Sequence, residues 1–325
     1  MTIGTGEKSA VYSLSEAFLG GQTFEIDADQ YATLSEALTK VVSAVKIEEL
    51  FQVFVQSFLR FEKDLLDVAF EYTYASMQSH DHEAFFSSIR HRFNVSIITI
   101  LTAFQSYDDH CNRILKSSTN LSETQEFNCL TRSKTFDAHL SYRICAGLRN
   151  YAQHRALPLG GFSIGSKVDI GQDGEGYLQK TASGFNVSPW LDVSKLASNP
   201  KCNPNLREEL ESLGYEKADM KWLIRSFAGA MYERHAELRA FLKPEIITAG
   251  EKISAGYDLV SADKNSKARF LELHANDEKR PMKNDLSAKV LRDFDTYASL
   301  ARAERSYVTS QISPEAATYS GQIDA

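Results

Sequence analysis

Between Tyr31 and Leu115, apolar residues recur mainly at three- and four-residue spacings, which is typical of a buried stripe on a helix. The clearest run is Leu50, Phe54, Phe58, Phe61, Leu65, Leu66 and Ala69. No convincing alternation of apolar and polar residues, as a half-buried strand would require, interrupts the region. Together with the segment that follows it, this pattern predicts helices over about 29–45, 47–77, 82–117 and 122–157.

Sequence breakers set the end of the fourth predicted helix. Pro158 disfavours helical geometry in Leu157, and two glycines follow at 160–161, so the helix ends near Leu157. Apolar residues then flank a glycine-rich segment; these are Phe162, Ile164, Val168 and Ile170 before it, and Tyr177 and Leu178 after it. This arrangement predicts a β-hairpin over 162–181. A phosphate-binding loop is disfavoured because the Lys-Ser/Thr pair and a following helix are missing.

Helical periodicity returns after the Asn-Pro breakers at 199–200 and 203–204. A short helix is predicted near 204–213, a long one around 216–260 that Pro244 kinks or divides, and another near 285–305. The fold class is therefore mainly all-α, with a small β-hairpin insertion and additional C-terminal helices. We expect four segments: a helical bundle over 1–160, a hairpin and loop insertion over 161–200, a helical region packed on the bundle over 201–305, and a mobile tail over 306–325.

The charge balance and the cysteines narrow the class of function. The chain has 325 residues, with 36 basic and 43 acidic side chains and a net charge of -7. This balance argues against a general nucleic-acid coat, although folding can still gather a local basic patch. The four cysteines show no C-x-x-C spacing and no charged-then-apolar leader opens the chain, so a cytoplasmic location is expected. Phe93–Phe104, the longest apolar-rich stretch, is far shorter than the ~20 residues that cross a bilayer, so no membrane partner is expected.

Metal chemistry is the first candidate class, and the sequence disfavours it. In the His-Asp-His-Glu run at 80–83, adjacent side chains point in different directions, and no second ligand pair follows at i+4. The Asp-Asp-His run at 108–110 lacks the Glu-x-x-His spacing of di-iron bundles. No cysteine lies in an obviously activating sequence setting. The sequence therefore predicts neither a metal nor another cofactor.

One motif suggests a reaction: the run Leu-Arg-Asn-Tyr-Ala-Gln-His at 148–154, which closes the fourth predicted helix. Similar Arg-to-His spacings occur from Arg132 to His139 and from Arg269 to His274, so the spacing alone selects nothing. Only Arg149 combines a following asparagine, an apolar lead-in and a helix stop just after the histidine. This run resembles the R-x(4–6)-H motif of HEPN domains (higher eukaryotes and prokaryotes nucleotide-binding). The resemblance is strongest over residues 90–160, so the predicted bundle is HEPN-like.

The same residues suit RNA cleavage on chemical grounds. Attack of a 2′-hydroxyl on the neighbouring phosphate needs a proton acceptor near neutral pH and a cation for the developing negative charge. Imidazole titrates near neutral pH, and the guanidinium fork matches phosphate oxygens. His154 and Arg149 are therefore the candidate catalytic residues, with Asn150 positioning the phosphate. On one helix they are separated by about 140° of rotation, which a second copy of the motif across a two-fold interface would relieve.

The resemblance implies a function and its partners. HEPN ribonucleases are typically homodimers whose paired motifs form one composite, metal-independent site, and many act as toxins or in defence against phage. This implies an endoribonuclease whose partner is RNA and whose activity a separate antitoxin or regulatory protein controls. Arg143, Tyr151 and Arg155 are further candidates for substrate binding, as side chains for phosphate contact or base stacking. Family members often have an acidic residue on the preceding helix, which Asp108 or Asp109 could match.

The alternative is a non-catalytic HEPN-like scaffold or interaction protein. In that hypothesis His154 stabilises the carboxyl end of its helix through the helix dipole. Arg149 then pairs with an acidic neighbour and has a structural role. In that hypothesis the purified protein cleaves no RNA, and His154→Ala loses several kcal/mol of stability.

Overall fold

A computed structural model of the chain describes residues 11–18, 21–75, 82–117, 122–172, 178–261, 270–276 and 278–298. Within these ranges helices predominate and the strands are few, so the mainly all-α class predicted from the sequence is confirmed. No helix in these ranges combines the length and the apolar character that a membrane crossing requires. The tail predicted over 306–325 lies outside the described residues.

The described helices are α1 (Ala28–Ala75), α2 (His82–Ser117), α3 (Ser122–Ala138), α4 (Leu140–His154), α5 (Val193–Ala197), α6 (Pro204–Leu213), α7 (Met220–Ser261) and α8 (Leu286–Ala298). The strands are β1 (Tyr12–Glu16), β2 (Thr23–Ile26), β3 (Gly161–Gln172), β4 (Leu178–Asp192), β5 (Lys217–Asp219), β6 (Leu271–Ala275) and β7 (Glu278–Met282). Both α2 and α6 have the predicted bounds. The hairpin is present as β3 and β4, and it is longer than predicted.

Two predicted helix boundaries are absent from the structure. The helices predicted over 29–45 and 47–77 are one continuous helix, α1, because no glycine or proline lies between residues 28 and 75 to stop it. Pro244 lies inside α7 without dividing it. A proline removes one backbone hydrogen bond, and α7 retains buried residues on both sides of it, Leu242 and Ile246.

The helix predicted over 122–157 is instead two helices, α3 and α4. His139 between them has extended backbone geometry, with φ −119° and ψ 110°. The guanidinium of Arg143 explains the break, because it donates to the carbonyls of Phe136 and Asp137, each at 2.7 Å, at the end of α3. The second helix also ends at His154, three residues before the predicted position.

The residues form two compact units by their contacts. The first includes Met1–Glu49, Asn112–Asn128 and Glu237–Tyr297, and its described part contains a sheet of strand order β2-β1-β6-β7. This sheet is not predicted by the sequence pattern. One of its faces packs in a core with parts of α1 and α7, and the core includes Leu14, Leu38, Val41, Ile253, Val260, Leu271 and Leu273. The four segments predicted from the sequence stay a prediction, because the two units show only which residues pack together and do not test the segment boundaries.

The second unit is built mainly from Leu50–Cys111 and Cys129–Ala236. It contains α3 residues from 129 onward, α4, α5, α6 and a sheet of strand order β3-β4-β5. Its core is aromatic: Phe104 meets Tyr142 edge-to-face at 5.3 Å between ring centroids, and Phe227 meets Phe104 at 5.1 Å. These contacts bury the inner face of α4 and leave its carboxyl end as the part nearest to solvent.

Candidate functional site

The Arg-Asn…His motif lies at the carboxyl end of α4, in the second unit. The first part of α4 is fixed by buried residues, among them Tyr142, Ile144, Cys145 and Leu148. Exposure then increases along the chain: Arg149, Asn150 and Tyr151 are half-buried, whereas His154 and Arg155 are exposed. Arg155 leaves helical geometry, and its backbone N–H still donates to the carbonyl of Tyr151 at 2.9 Å. The motif is therefore presented on the last turn of a well-anchored helix.

Arg149 and Asn150 are in direct contact. Nη1 of Arg149 donates to Oδ1 of Asn150 at 3.0 Å. Nε of Arg149 is buried and has no hydrogen-bond partner, and among the described residues no carboxylate forms an ion pair with this guanidinium. The scaffold hypothesis expected an acidic neighbour for Arg149, and none is found in this part of the chain. Among the described residues, therefore, no carboxylate offsets the positive charge of this guanidinium.

The contact with Asn150 also bears on the angular separation of Arg149 and His154. Each helical residue turns about 100°, so His154 lies about 140° around the helix from Arg149 but only about 40° from Asn150. The hydrogen bond connects Arg149 to a residue on the side of α4 that holds His154. Tyr151 precedes His154 by three residues, so these two also share that side.

Arg143 is placed differently from the other candidates. Its Nε and Nη2 donate to the two carboxylate oxygens of Glu209 on α6, at 2.9 and 2.6 Å, and its Nη1 donates to the two carbonyls at the end of α3. These contacts join α3, α4 and α6 and occupy the guanidinium. Substrate binding by Arg143 stays a prediction, and the structure supplies a structural role for it. By contrast, Arg155 forms no ion pair among the described residues.

The acidic pair on α2 divides into one buried and one exposed residue. Asp108 is buried and ion-paired with Arg234 at 2.5 Å and with Arg132 at 3.0 Å. Arg234 is itself fully buried and also donates to the hydroxyl of Tyr142 at 2.9 Å. Burial raises the pKa of the Tyr142 phenol to about 12, so this hydroxyl stays protonated at neutral pH. Asp109 is exposed and accepts a hydrogen bond from Gln105.

A cleft of about 660 Å³ opens beside the end of α4. One wall comes from α2, a second from Tyr151 and the segment at 156–160, and a third from the junction of β4 with α5. The lining side chains that are polar or large and apolar are Arg90, Asn94, Tyr151, Leu157, Leu159, Leu191, Asp192 and Lys195. The wall from β4 and α5 is not predicted by the sequence pattern. These residues come more than thirty positions after the motif, and no local pattern connects them to it.

The cleft has a positive balance of charge, with two cations and one carboxylate. Nζ of Lys195 lies 2.9 Å from Oδ2 of Asp192, and this hydrogen bond raises the pKa of the lysine. Burial acts to raise the pKa of Asp192, but hydrogen bonds from Lys195 and Ser194 hold it below its ordinary value. Arg90 is exposed and forms no ion pair among the described residues.

Hydrogen bonds and a close ring contact fix the segment at 156–160. Asn94 on α2 accepts from the backbone N–H of Leu159 at 3.1 Å and donates to the carbonyl of Arg90 at 2.9 Å. The indole of Trp190 lies against Gly160 and Gly161, where an added Cβ would come within 2.5 Å of the ring. Only glycine fits under this ring, so Gly160 and Gly161 allow the indole to lie against the backbone and bound the cleft on that side.

Other candidate chemistry in the sequence has a structural explanation. A G-x-S-x-G sequence occurs at 161–165, but Ser163 lies within β3, paired with Ser188 on β4, whereas a nucleophile elbow requires a strand-to-helix turn. In the part of the chain that the structure describes, no three His, Cys, Asp or Glu side chains are grouped to hold a metal ion. Residues 80–81 of the His-Asp-His-Glu run lie outside that part.

The end of α4 groups several side chains that can take part in chemistry. It combines a guanidinium with no carboxylate partner among the described residues, an amide bonded to it, an exposed imidazole and an adjacent cleft. These groups can bind an anion and transfer a proton. In comparisons with known proteins, no family model, no curated protein and no solved structure matches this chain.

Proposed function

We propose that this protein is a metal-independent endoribonuclease of HEPN type, which cleaves RNA by attack of a 2′-hydroxyl on the adjacent phosphate. The observation that supports it most is the state of Arg149. Its guanidinium has no carboxylate partner among the described residues, and it is bonded to Asn150 on the side of α4 that holds the exposed His154. A phosphate would supply the missing negative charge.

Each residue has a defined role in this proposal. His154 takes the proton from the 2′-hydroxyl as a general base, or gives one to the leaving 5′-oxygen as a general acid. Arg149 binds the non-bridging phosphate oxygens and stabilises the charge that develops in the transition state. Asn150 orients Arg149 through the 3.0 Å hydrogen bond, and its amide nitrogen can donate to the phosphate. Arg155 adds positive charge beside the motif.

The proposal includes a homodimer. Arg149 and His154 lie about 140° apart around one helix, and a two-fold interface can bring Arg149 of one protomer to His154 of the other. The end of α4 is accessible for this arrangement, since His154 and Arg155 are exposed. A toxin or anti-phage role is the biological setting that the HEPN resemblance implies, with RNA as substrate and a separate antitoxin or regulator as partner.

The reaction class is tested with purified wild-type protein and a defined RNA in EDTA. We expect cleavage that EDTA does not inhibit and products with 2′,3′-cyclic phosphate ends, because the 2′-oxygen is the nucleophile. Cleavage that needs Mg²⁺ and leaves 5′-phosphate ends would contradict the proposal, since water would then be the nucleophile. Absence of cleavage would favour the scaffold hypothesis.

The composite site is tested by mixing two inactive variants, Arg149→Ala and His154→Ala. If Arg149 of one protomer acts with His154 of the other, each mixed dimer has one intact site, and the mixture should regain a measurable part of the wild-type rate. If both residues act within one protomer, the mixture stays inactive. A mixture of His154→Ala with His154→Asn is the matched control, because none of its dimers contains an intact histidine.

A further inference from the structure

The cleft beside the end of α4 has a chemistry of its own that the motif does not require. It adjoins the motif directly, because Tyr151 lies three residues before His154 and Ala156 lies two residues after it. Side chains three residues apart on a helix have Cβ atoms about 5–6 Å apart. A molecule in the cleft is therefore a near neighbour of any group bound at His154.

The polar groups of the cleft suit an anionic ligand. The guanidinium of Arg90 has no ion-pair partner among the described residues, and Lys195 shares its charge with Asp192 alone. Asn94 is already engaged on both sides, by Leu159 and by the carbonyl of Arg90, so it shapes the wall and leaves the recognition of charge to the two cations. Two cations against one carboxylate leave a positive site for one phosphate group.

The rest of the cleft suits a flat, partly apolar group. Tyr151 supplies an aromatic ring, and Leu157, Leu159 and Leu191 supply apolar side chains. A volume of about 660 Å³ lies within the range of pockets for small organic ligands, about 300–1,000 Å³. A nucleotide unit has both required parts, since its base can stack on a tyrosine while its phosphate contacts arginine or lysine.

We infer that this cleft binds one unpaired nucleotide of the RNA next to the scissile phosphate, with its base against Tyr151 and its phosphate at Arg90 and Lys195. The inference rests on the proposed ribonuclease function, to which it adds a nucleotide-binding subsite. A base in a duplex is stacked on both faces and paired at its edge, so it cannot enter the cleft without the cost of leaving the helix. The hairpin thereby gains a role, because β4 and α5 form one wall of the nucleotide site.

The test uses a short single-stranded RNA and the same strand annealed to its complement. Tyr151→Ala removes a stacking surface worth about 1–3 kcal/mol per base, so KM for the single strand should rise about fivefold to a hundredfold with kcat little changed. Tyr151→Phe retains the ring and should retain most of the affinity. Arg90→Ala should raise KM and weaken its dependence on salt. Lys63→Ala, which removes an exposed charge from α1, is the control for charge alone.

Binding of the same two RNAs to the His154→Ala variant in EDTA separates this inference from the proposed function. If the wild type cleaves RNA and the Tyr151 and Arg90 variants keep its KM, the cleft inference is overturned and the proposed function stands. If the wild type cleaves nothing but Tyr151→Ala in the His154→Ala background weakens single-strand binding, the cleft is a nucleotide-binding site and the proposed function fails. Equal cleavage and binding of the duplex, or no binding of either RNA, would overturn the inference.

Discussion

Replacement of His154 by alanine is expected to lower the rate of RNA cleavage by about 10²- to 10⁴-fold, the contribution typical of a general acid or base. The expected loss is in kcat, since the imidazole transfers a proton in the transition state and contributes little to ground-state binding. His154 is exposed at the last turn of α4, so its removal should leave the fold intact. Single-turnover rates in EDTA, with circular dichroism on the same sample, measure both effects.

Controls for this prediction come from the same chain. His110 is an exposed histidine on α2, and His110→Ala should retain the wild-type rate. Added imidazole should restore part of the rate of His154→Ala, because it replaces the missing proton acceptor without changing the fold. A His154→Ala variant that is folded and cleaves RNA at the wild-type rate would exclude His154 from the chemistry.

Replacement of Asp108 by alanine is expected to lower the free energy of unfolding by about 3–5 kcal/mol, the cost typical of breaking a buried ion pair. Asp108 and Arg234 are both fully enclosed, and the carboxylate contributes strongly to the raised pKa of this arginine, against burial, which acts to lower it. Without the carboxylate, the buried guanidinium of Arg234 loses its ion pair with Asp108 and keeps its hydrogen bond to the hydroxyl of Tyr142. Urea unfolding followed by circular dichroism measures the change.

The neighbouring residue is a matched control for Asp108. Asp109 has the same side chain on the same helix but is exposed, so Asp109→Ala should change the free energy of unfolding by less than about 0.5 kcal/mol. An Asp108→Ala variant as stable as Asp109→Ala would contradict the assignment of a stabilising buried pair. The comparison also helps to interpret activity. If Asp108→Ala is less stable than Asp109→Ala, any loss of RNA cleavage in Asp108→Ala accompanies that loss of stability.

The helices were predictable from the sequence because their signal is local. The apolar spacing and the helix breakers lie within the segment that folds, and they predicted the bounds of α2 and α6. Helix α6 begins after Asn203, whose side chain accepts a hydrogen bond from the N–H of Asn205, and it is followed by Gly214, with φ 69°. The break at His139 was not predictable in this way. It depends on Arg143, whose side chain reaches back to the end of α3.

The four-stranded sheet was missed because its pairing joins distant parts of the chain. Strand β1 pairs with β6, so that Leu14 lies opposite Leu273 across more than 250 residues. Each strand has only five residues, and the alternation of Leu271 and Leu273 with polar neighbours is too short to stand out from a polar tail. The pattern becomes convincing only when both strands are considered as partners.

The candidate site was predictable in part. The residue types at 149–154 predicted a candidate site at the end of α4, because a helix stop and side chains suited to catalysis occur together there. The hydrogen bond from Arg149 to Asn150 could not be predicted from spacing, since adjacent residues do not share a helix face. The cleft could not be predicted either, because Lys195 reaches the site only through the return of the hairpin.

The most direct test of the account compares wild type with the Arg149→Ala/His154→Ala double variant on one defined single-stranded RNA in EDTA. We expect wild type to cleave and to leave 2′,3′-cyclic phosphate ends, and the folded double variant to be slower by at least the ~10²-fold that one general acid or base contributes. Because the two residues act in one step, the loss should be less than the product of the two single losses. A folded double variant that cleaves as fast as wild type would contradict the assignment of the site.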